Sequence, residues 1–329
     1  MTEPAAAAAS TPIPAPATSS GRIQLVDLAR GIALLAMFVF HFAYDLSNFG
    51  LIETDIAFEP GWRLFARCIA GSFLVIVGFS LVLATRKGLN RSAFLKRLAM
   101  VVAAAAAVTI GTFFAVRDNF IFFGILHHVA LASVLALPFL RLPIVLVVLA
   151  AVIAFALPAF VDLPLLDQPW AVWLGFSHAP IQTADFVPVF PWFGCVLTGI
   201  VLARLVLPRL DGTAAAGWRP GSRPARIICW GGRHSLLVYL VHQPLFIGLI
   251  MLATQVVTPL SPDERAFRGE CQRSCTGPSL SGQACQEICS CTVDGLKREN
   301  LWQKALANTL SSEESARMTR LAQACLRGP

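Results

Sequence analysis

The chain has 329 residues, 56% of them hydrophobic and only 14% charged, with a formal net charge of +7. That balance excludes an ordinary soluble enzyme and fits a polytopic membrane protein. The positive charge does not indicate nucleic acid, because Arg and Lys fall largely between apolar runs and no basic patch alternates with aromatics.

Residues 1–21 are rich in Ala, Pro and Ser and are expected to form a disordered cytoplasmic N-terminus. No positive segment precedes an apolar core there, so a secretory signal is not expected. The next unit, residues 22–257, carries apolar runs at 25–46, 62–85, 95–115, 119–139, 143–162, 188–208 and 234–257. Each approaches the roughly 20 residues that a bilayer requires. The expected fold is therefore all-α, a transmembrane bundle of about seven spans, with Pro158 and Pro191 interrupting the fifth and sixth runs.

The first span, "VDLARGIALLAMFVFHFAYDL", holds Asp27, Arg30, His41 and Asp45. An ionisable group within a bilayer costs roughly 2.5–3.5 kcal/mol on insertion scales, which makes each a functional candidate. Asp27 and Arg30 share a helix face, and a local ion pair at the headgroup boundary is the plain reading. His41 lies roughly 16 Å further along the helix, with Asp45 one turn beyond. A carboxylate on one imidazole nitrogen would fix the tautomer and make the other nitrogen a better base. A histidine bonded to a neighbouring helix is the alternative.

The loop after the second span carries Arg86, Lys87, Arg91, Lys96 and Arg97, and the loop after the sixth carries Arg204, Arg209, Arg219, Arg223, Arg226 and Arg233. Loop 47–61 is acidic through Glu53, Asp55 and Glu59, and loop 163–187 has Asp167 and Asp185 without Lys or Arg. These loops orient the N-terminus inward and the C-terminus outward.

The fourth span places His127 and His128 at about the depth of His41. Adjacent residues diverge by about 100° on a helix, so one at most would face a shared cavity. "DFVPVFPWFG" opens the sixth span and reads as a substrate mouth or an aromatic belt. The last span brings Tyr239, His242 and Gln243, and Pro244 frees the Leu240 carbonyl from the helical ladder. His234 falls in the headgroup zone, with no special role expected.

Residues 258–329 are polar and contain Cys271, Cys275, Cys285, Cys289, Cys291 and Cys325. A short extracytoplasmic tail has little core of its own and needs staples. The C-x3-C repeats suggest two antiparallel helical segments, with "TGPSLSG" as the turn. Pairing Cys271 with Cys289 and Cys275 with Cys285 would leave Cys291 for Cys325, but six cysteines allow fifteen connectivities. A zinc site competes; the absence of His from this stretch and the oxidising side weigh against it. No metal site is expected elsewhere.

Four motifs carry a family resemblance: "RIQLVDLARGIALLAMFVFHFAYDLSNFG", "FIFFGILHHVALAS", "DFVPVFPWFG" and "GRHSLLVYLVHQP". In this order, from about Arg22 to Leu252, they resemble the bacterial branch of the heparan-α-glucosaminide N-acetyltransferase catalytic-domain family. The Arg30-x10-His41 spacing is also similar to the signature of broader membrane acyltransferases that modify cell-surface glycans. The resemblance implies transfer of an acetyl group from cytosolic acetyl-CoA across the bacterial inner membrane to an extracytoplasmic, glycan-type acceptor.

Carried onto this chain, the resemblance makes His41 the centre of the first motif and gives Arg30 a donor-steering role. His127 matches the Gly-Ile-Leu-His motif, and His242 with Gln243 matches His-Gln-Pro. The animal members carry Asn where His41 stands and place a catalytic His in the following luminal stretch. Residues 42–61 here contain no His, so His41 takes that role or the chemistry differs.

The expected reaction has His41, oriented by Asp45, deprotonating the acceptor, with His127 or Tyr239 stabilising the oxyanion. Arg86, Arg91, Arg97 or the 219–233 arginines would hold the CoA phosphates, and Tyr239, His242 and Gln243 would line the donor's path. Two other readings remain: a proton-coupled small-molecule carrier, and a non-catalytic membrane subunit whose tail binds a partner. The lipid bilayer is the expected surroundings, and homo-oligomerisation stays open.

Overall fold

In the computed structural model, residues 23–52, 54–177, 181–256, 260–275 and 282–326 are described. The expected disordered segment 1–21, Glu53 and most of the expected 276–282 turn lie outside them. The membrane part comprises α1 (Gln24–Asn48), α2 (Pro60–Thr85), α3 (Arg91–Ala115), α4 (Ile125–Leu135), α5 (Ile144–Ala156), α6 (Val189–Leu210), α7 (Arg223–Arg233) and α8 (Ser235–Ala253). The tail adds α9 (Pro262–Ser274), α10 (Gly282–Arg298), α11 (Trp302–Leu306) and α12 (Ser312–Leu326). Among the described residues there is no β-strand, and the one isolated bridge joins Phe123 to Phe186.

Local chemistry sets several helix starts. Glu59 accepts from the Trp62 N–H at 3.0 Å with Pro60 opening α2, and Asn90 caps α3 through the Ala93 N–H at 3.1 Å. α12 begins with a reciprocal box: the Ser311 hydroxyl accepts from the Glu314 N–H at 3.3 Å, and the Glu314 carboxylate accepts from the Ser311 N–H at 2.9 Å.

Among the described residues, five helices are long and apolar enough to cross a bilayer: α1, α2, α3, α6 and α8. The expectation of seven such spans is not met by the runs at 119–139 and 143–162. α4 has 11 residues, about 17 Å of helix, against a hydrocarbon core of roughly 30 Å. Its start is delayed because residues 120–123 run extended beside the segment entering α6, where the Val187 N–H donates to the Phe123 carbonyl at 3.2 Å. Its end is set by Pro138. α5 begins after Pro143 and passes into a 3₁₀ turn at Leu157–Ala159, which holds Pro158.

Backbone proximity replaces the hydrophobic effect as the glue between buried helices in a membrane. A Cβ on Gly78 would lie 1.9 Å from the Val196 carbonyl oxygen, so only glycine lets α2 and α6 touch there. Gly232 does the same for α7 on α1, where a Cβ would meet the Asp27 carbonyl oxygen at 1.8 Å. Around the first crossing, Leu74, Val147, Val196, Leu197 and Ile200 form the buried centre. Outward-facing side chains are large and apolar, with Phe114 81% and Phe160 83% exposed, as a lipid-facing surface requires.

The helix ends sort by charge. At the arginine-rich end, Arg86 pairs with Asp211, tying α2 to α6. Arg204 of α6 donates to the carbonyls of Phe139 and Leu142 at 2.7 and 2.5 Å, so the α4–α5 connection sits at this end too. The opposite end carries the tail. The Leu260 N–H donates to the Gly50 carbonyl at 3.0 Å, and Arg265 donates to the Asn48 carbonyl.

Three disulfides staple the tail, Cys271–Cys289, Cys275–Cys285 and Cys291–Cys325, the pairing that the C-x3-C spacing allows. Val293, Leu296, Leu301 and Trp302 form its small core, with Phe267 edge-on to Trp302. Beside that core, Arg268 donates to Glu264 at 2.8 Å and to Ser290 at 2.7 Å, and Lys297 reaches the other Glu264 oxygen at 2.5 Å. Each oxygen of this buried carboxylate thus faces a cation, the condition for retaining a charge away from water.

Candidate active site

α1 and α8 lie against each other and bring together residues from the two ends of the membrane part. The His41 and His242 rings meet edge to face, with centroids 5.0 Å apart. Phe38 stacks on His242 at 5.5 Å, and Phe246 closes another edge of the ring at 5.9 Å. These apolar walls fix the His242 rotamer and keep water from its faces.

Hydrogen bonding fixes its tautomer as well. His242 Nδ1 is 2.5 Å from the Tyr239 carbonyl oxygen, which can only accept, so Nδ1 carries the proton. Nε2 is then a bare lone pair. It is buried and has no hydrogen-bond partner among the described residues, and the same is true of Oε1 of the next residue, Gln243. Two adjacent buried acceptors without a donor are an unusual liability. A substrate hydroxyl or amine would supply the missing proton to either. His41 itself makes ring contacts to Phe40 and His242 and has no hydrogen bond among the described residues.

Asp45 does not orient His41. Both of its oxygens accept from Gln243 Nε2, at 2.8 and 2.9 Å, and its side chain is buried. The two residues share a face of α1 as their spacing demands, but α8 presents a fixed amide donor that the α1 sequence does not reveal. Asp45 therefore anchors the residue next to His242, and the carboxylate acts one step removed from the imidazoles.

His127 is also placed elsewhere. Thr109 Oγ1 spends its proton on the Ile121 carbonyl at 2.7 Å, so His127 Nε2, 3.0 Å away, must donate to it. His127 Nδ1 then accepts from the Gly124 N–H at 3.3 Å. One nitrogen thus ties α4 to α3 and the other caps the start of α4, and among the described residues no contact of this ring is with His41 or His242. His128 is buried, its Nδ1 near the carbonyls of Val187 and Pro188 at 3.2 and 3.1 Å.

Asp185, read from sequence only as part of a mouth, is a structural centre. Its carboxylate accepts from the Ile125 N–H at 2.8 Å, which caps α4. Burial pushes its pKa up to about 6, against the opposing pull of that N–H. Its charge lies within electrostatic reach of the Tyr239 phenol, whose ring meets that of His242 at 5.5 Å.

Arg30 is held at the arginine-rich end. It donates to Asp27 at 3.3 Å, the local ion pair that the spacing suggests, and to Ser80 Oγ of α2 at 2.5 Å. Ser80 carried no sequence signal. Of the arginines expected at the CoA phosphates, Arg86 is engaged by Asp211 because the ends of α2 and α6 converge. Arg91 and Arg97, on the first turns of α3, are exposed and make no ion pair among the described residues.

Fold and site together define a polytopic membrane protein that sets the half-buried His41 against the buried His242 where two spanning helices meet. Residues 22–244 match the family described as heparan-alpha-glucosaminide N-acetyltransferase, catalytic, and the chain belongs to that family. Every candidate site residue lies within the match, whereas the cysteine-bonded tail lies beyond it. No curated protein and no solved structure shows significant similarity to the chain. Family and apolar helices make this a membrane acetyltransferase-type protein, seated in a lipid bilayer.

Proposed function

We propose that the protein moves an acetyl group from acetyl-CoA on the cytosolic side of a bacterial inner membrane to a hydroxyl or amine of a glycan-type acceptor on the other side. The observation that carries this reading is the pair of buried, donorless acceptors on consecutive residues, His242 Nε2 and Gln243 Oε1, beside His41. A carrier would not need a tautomer fixed so that one nitrogen is a ready base.

In this mechanism the acceptor X–H enters from the tail-bearing end. The imidazole pair takes its proton, with His242 Nε2 as the prepared atom, while the X lone pair attacks the thioester carbonyl carbon. The carbon–sulfur bond then breaks, and the leaving thiolate recovers a proton from the imidazolium. Such base assistance contributes typically about 10²–10⁴-fold. The Tyr239 phenol, in contact with the His242 ring, is the candidate donor to the oxyanion. Gln243, pinned by Asp45, positions the entering X–H.

At the arginine-rich end, Arg91, Arg97, Arg223 and Arg226 make no ion pair among the described residues and fit the CoA phosphates better than Arg86 does. The orientation with this end in the cytoplasm follows the distribution of basic loops. The test is thiol release from acetyl-CoA by the purified protein in liposomes with a periplasmic glycan extract. Acceptor-dependent release should vanish in His41→Ala. Equal release in that variant would remove His41 from the chemistry.

A further inference from the structure

Where the tail meets the end of α1 and the loop after it, a cleft of about 330 Å³ opens. Tyr44, Asp55, Phe58, Arg265, Arg268 and Arg273 are among its lining residues. Two of the three arginines are neutralised: Arg268 by Glu264, and Arg273 by Glu270 at 2.7 Å. Arg265 is not. Its single hydrogen bond among the described residues is to the Asn48 carbonyl, and its Nε is buried without a partner. Among the described residues, the cleft thus holds a guanidinium with no carboxylate on it.

The position of this charge is built rather than accidental. Gly50 adopts a φ of +72°, and a Cβ there would lie 2.7 Å from Arg265 Cδ, so the missing side chain makes room for the arginine stem. Arg273 lies over the Phe58 ring at 5.3 Å, which gives the cleft a flat shelf. Asp55 spends one oxygen on the Ala57 N–H at 3.2 Å and has no ion pair among the described residues. It leaves an acceptor for a hydroxyl or ammonium group. Tyr44 connects the cleft to the histidines, because it follows His41 by three residues, or roughly 4.5 Å along α1.

We propose that this cleft is a binding subsite for an anionic group, carboxylate or phosphate, on the acceptor, held by Arg265 with hydroxyl or amine groups of the same molecule turned to Asp55. That the ligand is the acceptor rests on the acyltransferase reading; the anion site itself does not. The arginines of the subsite come from the tail, which lies outside the family match, so they would give this chain an acceptor selectivity of its own.

The test uses the full-length protein in nanodiscs, with glucuronate, glucose 6-phosphate and glucose as probes in equilibrium titrations. One charge-assisted contact should make either anion bind roughly 10–100-fold more tightly than glucose. The two anionic arms tell whether a carboxylate or a phosphate fits. Arg265→Gln should erase the difference, Arg265→Lys should keep part of it, and raised ionic strength should weaken the anions in the wild type. Equal affinity of the wild type for all three probes overturns the subsite even where acetyl transfer is intact. Anion binding without any acetyl transfer would leave the subsite standing and remove the acyltransferase reading. The wild-type comparison is decisive even if Arg265→Gln fails to fold.

Discussion

Replacing Gln243 by Leu separates the buried carboxylate of Asp45 from the amide that satisfies both its oxygens, at 2.8 and 2.9 Å. Asp45 is only 3% exposed, so water does not take over. A hydrogen bond to a charged group is worth about 1.5–3 kcal/mol, and a buried carboxylate left without a donor costs at least that. Gln243→Leu should therefore destabilise the protein by about 2–3 kcal/mol. Asp45→Leu should cost less, about 1–2 kcal/mol, because a stranded amide carries no charge. Removing both partners leaves no orphan, so the double variant should be more stable than Gln243→Leu alone, with a coupling of about 1–3 kcal/mol. Equilibrium unfolding in mixed micelles measures all four proteins. Strictly additive losses would refute the pairing of α1 with α8 through these side chains.

The tail offers two further tests. Loop-closure entropy makes the Cys291–Cys325 bond, with a sequence separation of 34, about 1 kcal/mol more stabilising than Cys275–Cys285, with a separation of 10. Alanine replacement of each pair, followed by thermal unfolding of the tail, should rank them in that order. For Glu264, burial acts to raise the pKa, but the Lys297 and Arg268 partners outweigh it and hold it below its ordinary 4.5. A lowered folded value means stability that is present above pH 4.5 and lost as pH falls through the folded pKa. Protease resistance of the tail should therefore decline on acidification below that point, and Glu264→Gln should flatten the decline.

Long apolar runs made α1, α2, α3, α6 and α8 legible, because about 20 predominantly apolar residues suit little but a bilayer. The Asp27–Arg30 pair and the tail's cysteine ladder were legible too, since both depend on spacing along one helix or two adjacent ones. Contacts between distant helices were not. Periodicity placed His41 and Asp45 on one face, but the competition of Gln243 for Asp45 is set by how α8 packs on α1. The same holds for Arg86, whose partner Asp211 lies 125 residues away. His127 accepts from the Gly124 N–H at the start of α4, a role that its place in an apolar run did not reveal. The short α4 and α5 follow from Gly124, Pro138, Pro143 and Pro158, punctuation that hydropathy averaging hides.

The proposed movement of an acetyl group across the membrane at the histidine pair of α1 and α8 is tested most directly in sealed inverted vesicles, with labelled acetyl-CoA outside and a glycan acceptor trapped inside. Labelled acceptor should accumulate within the vesicles, and His242→Ala should slow it by about 10²–10⁴-fold. Label that stays on the donor side, or a variant as fast as the wild type, would take that role away from the pair.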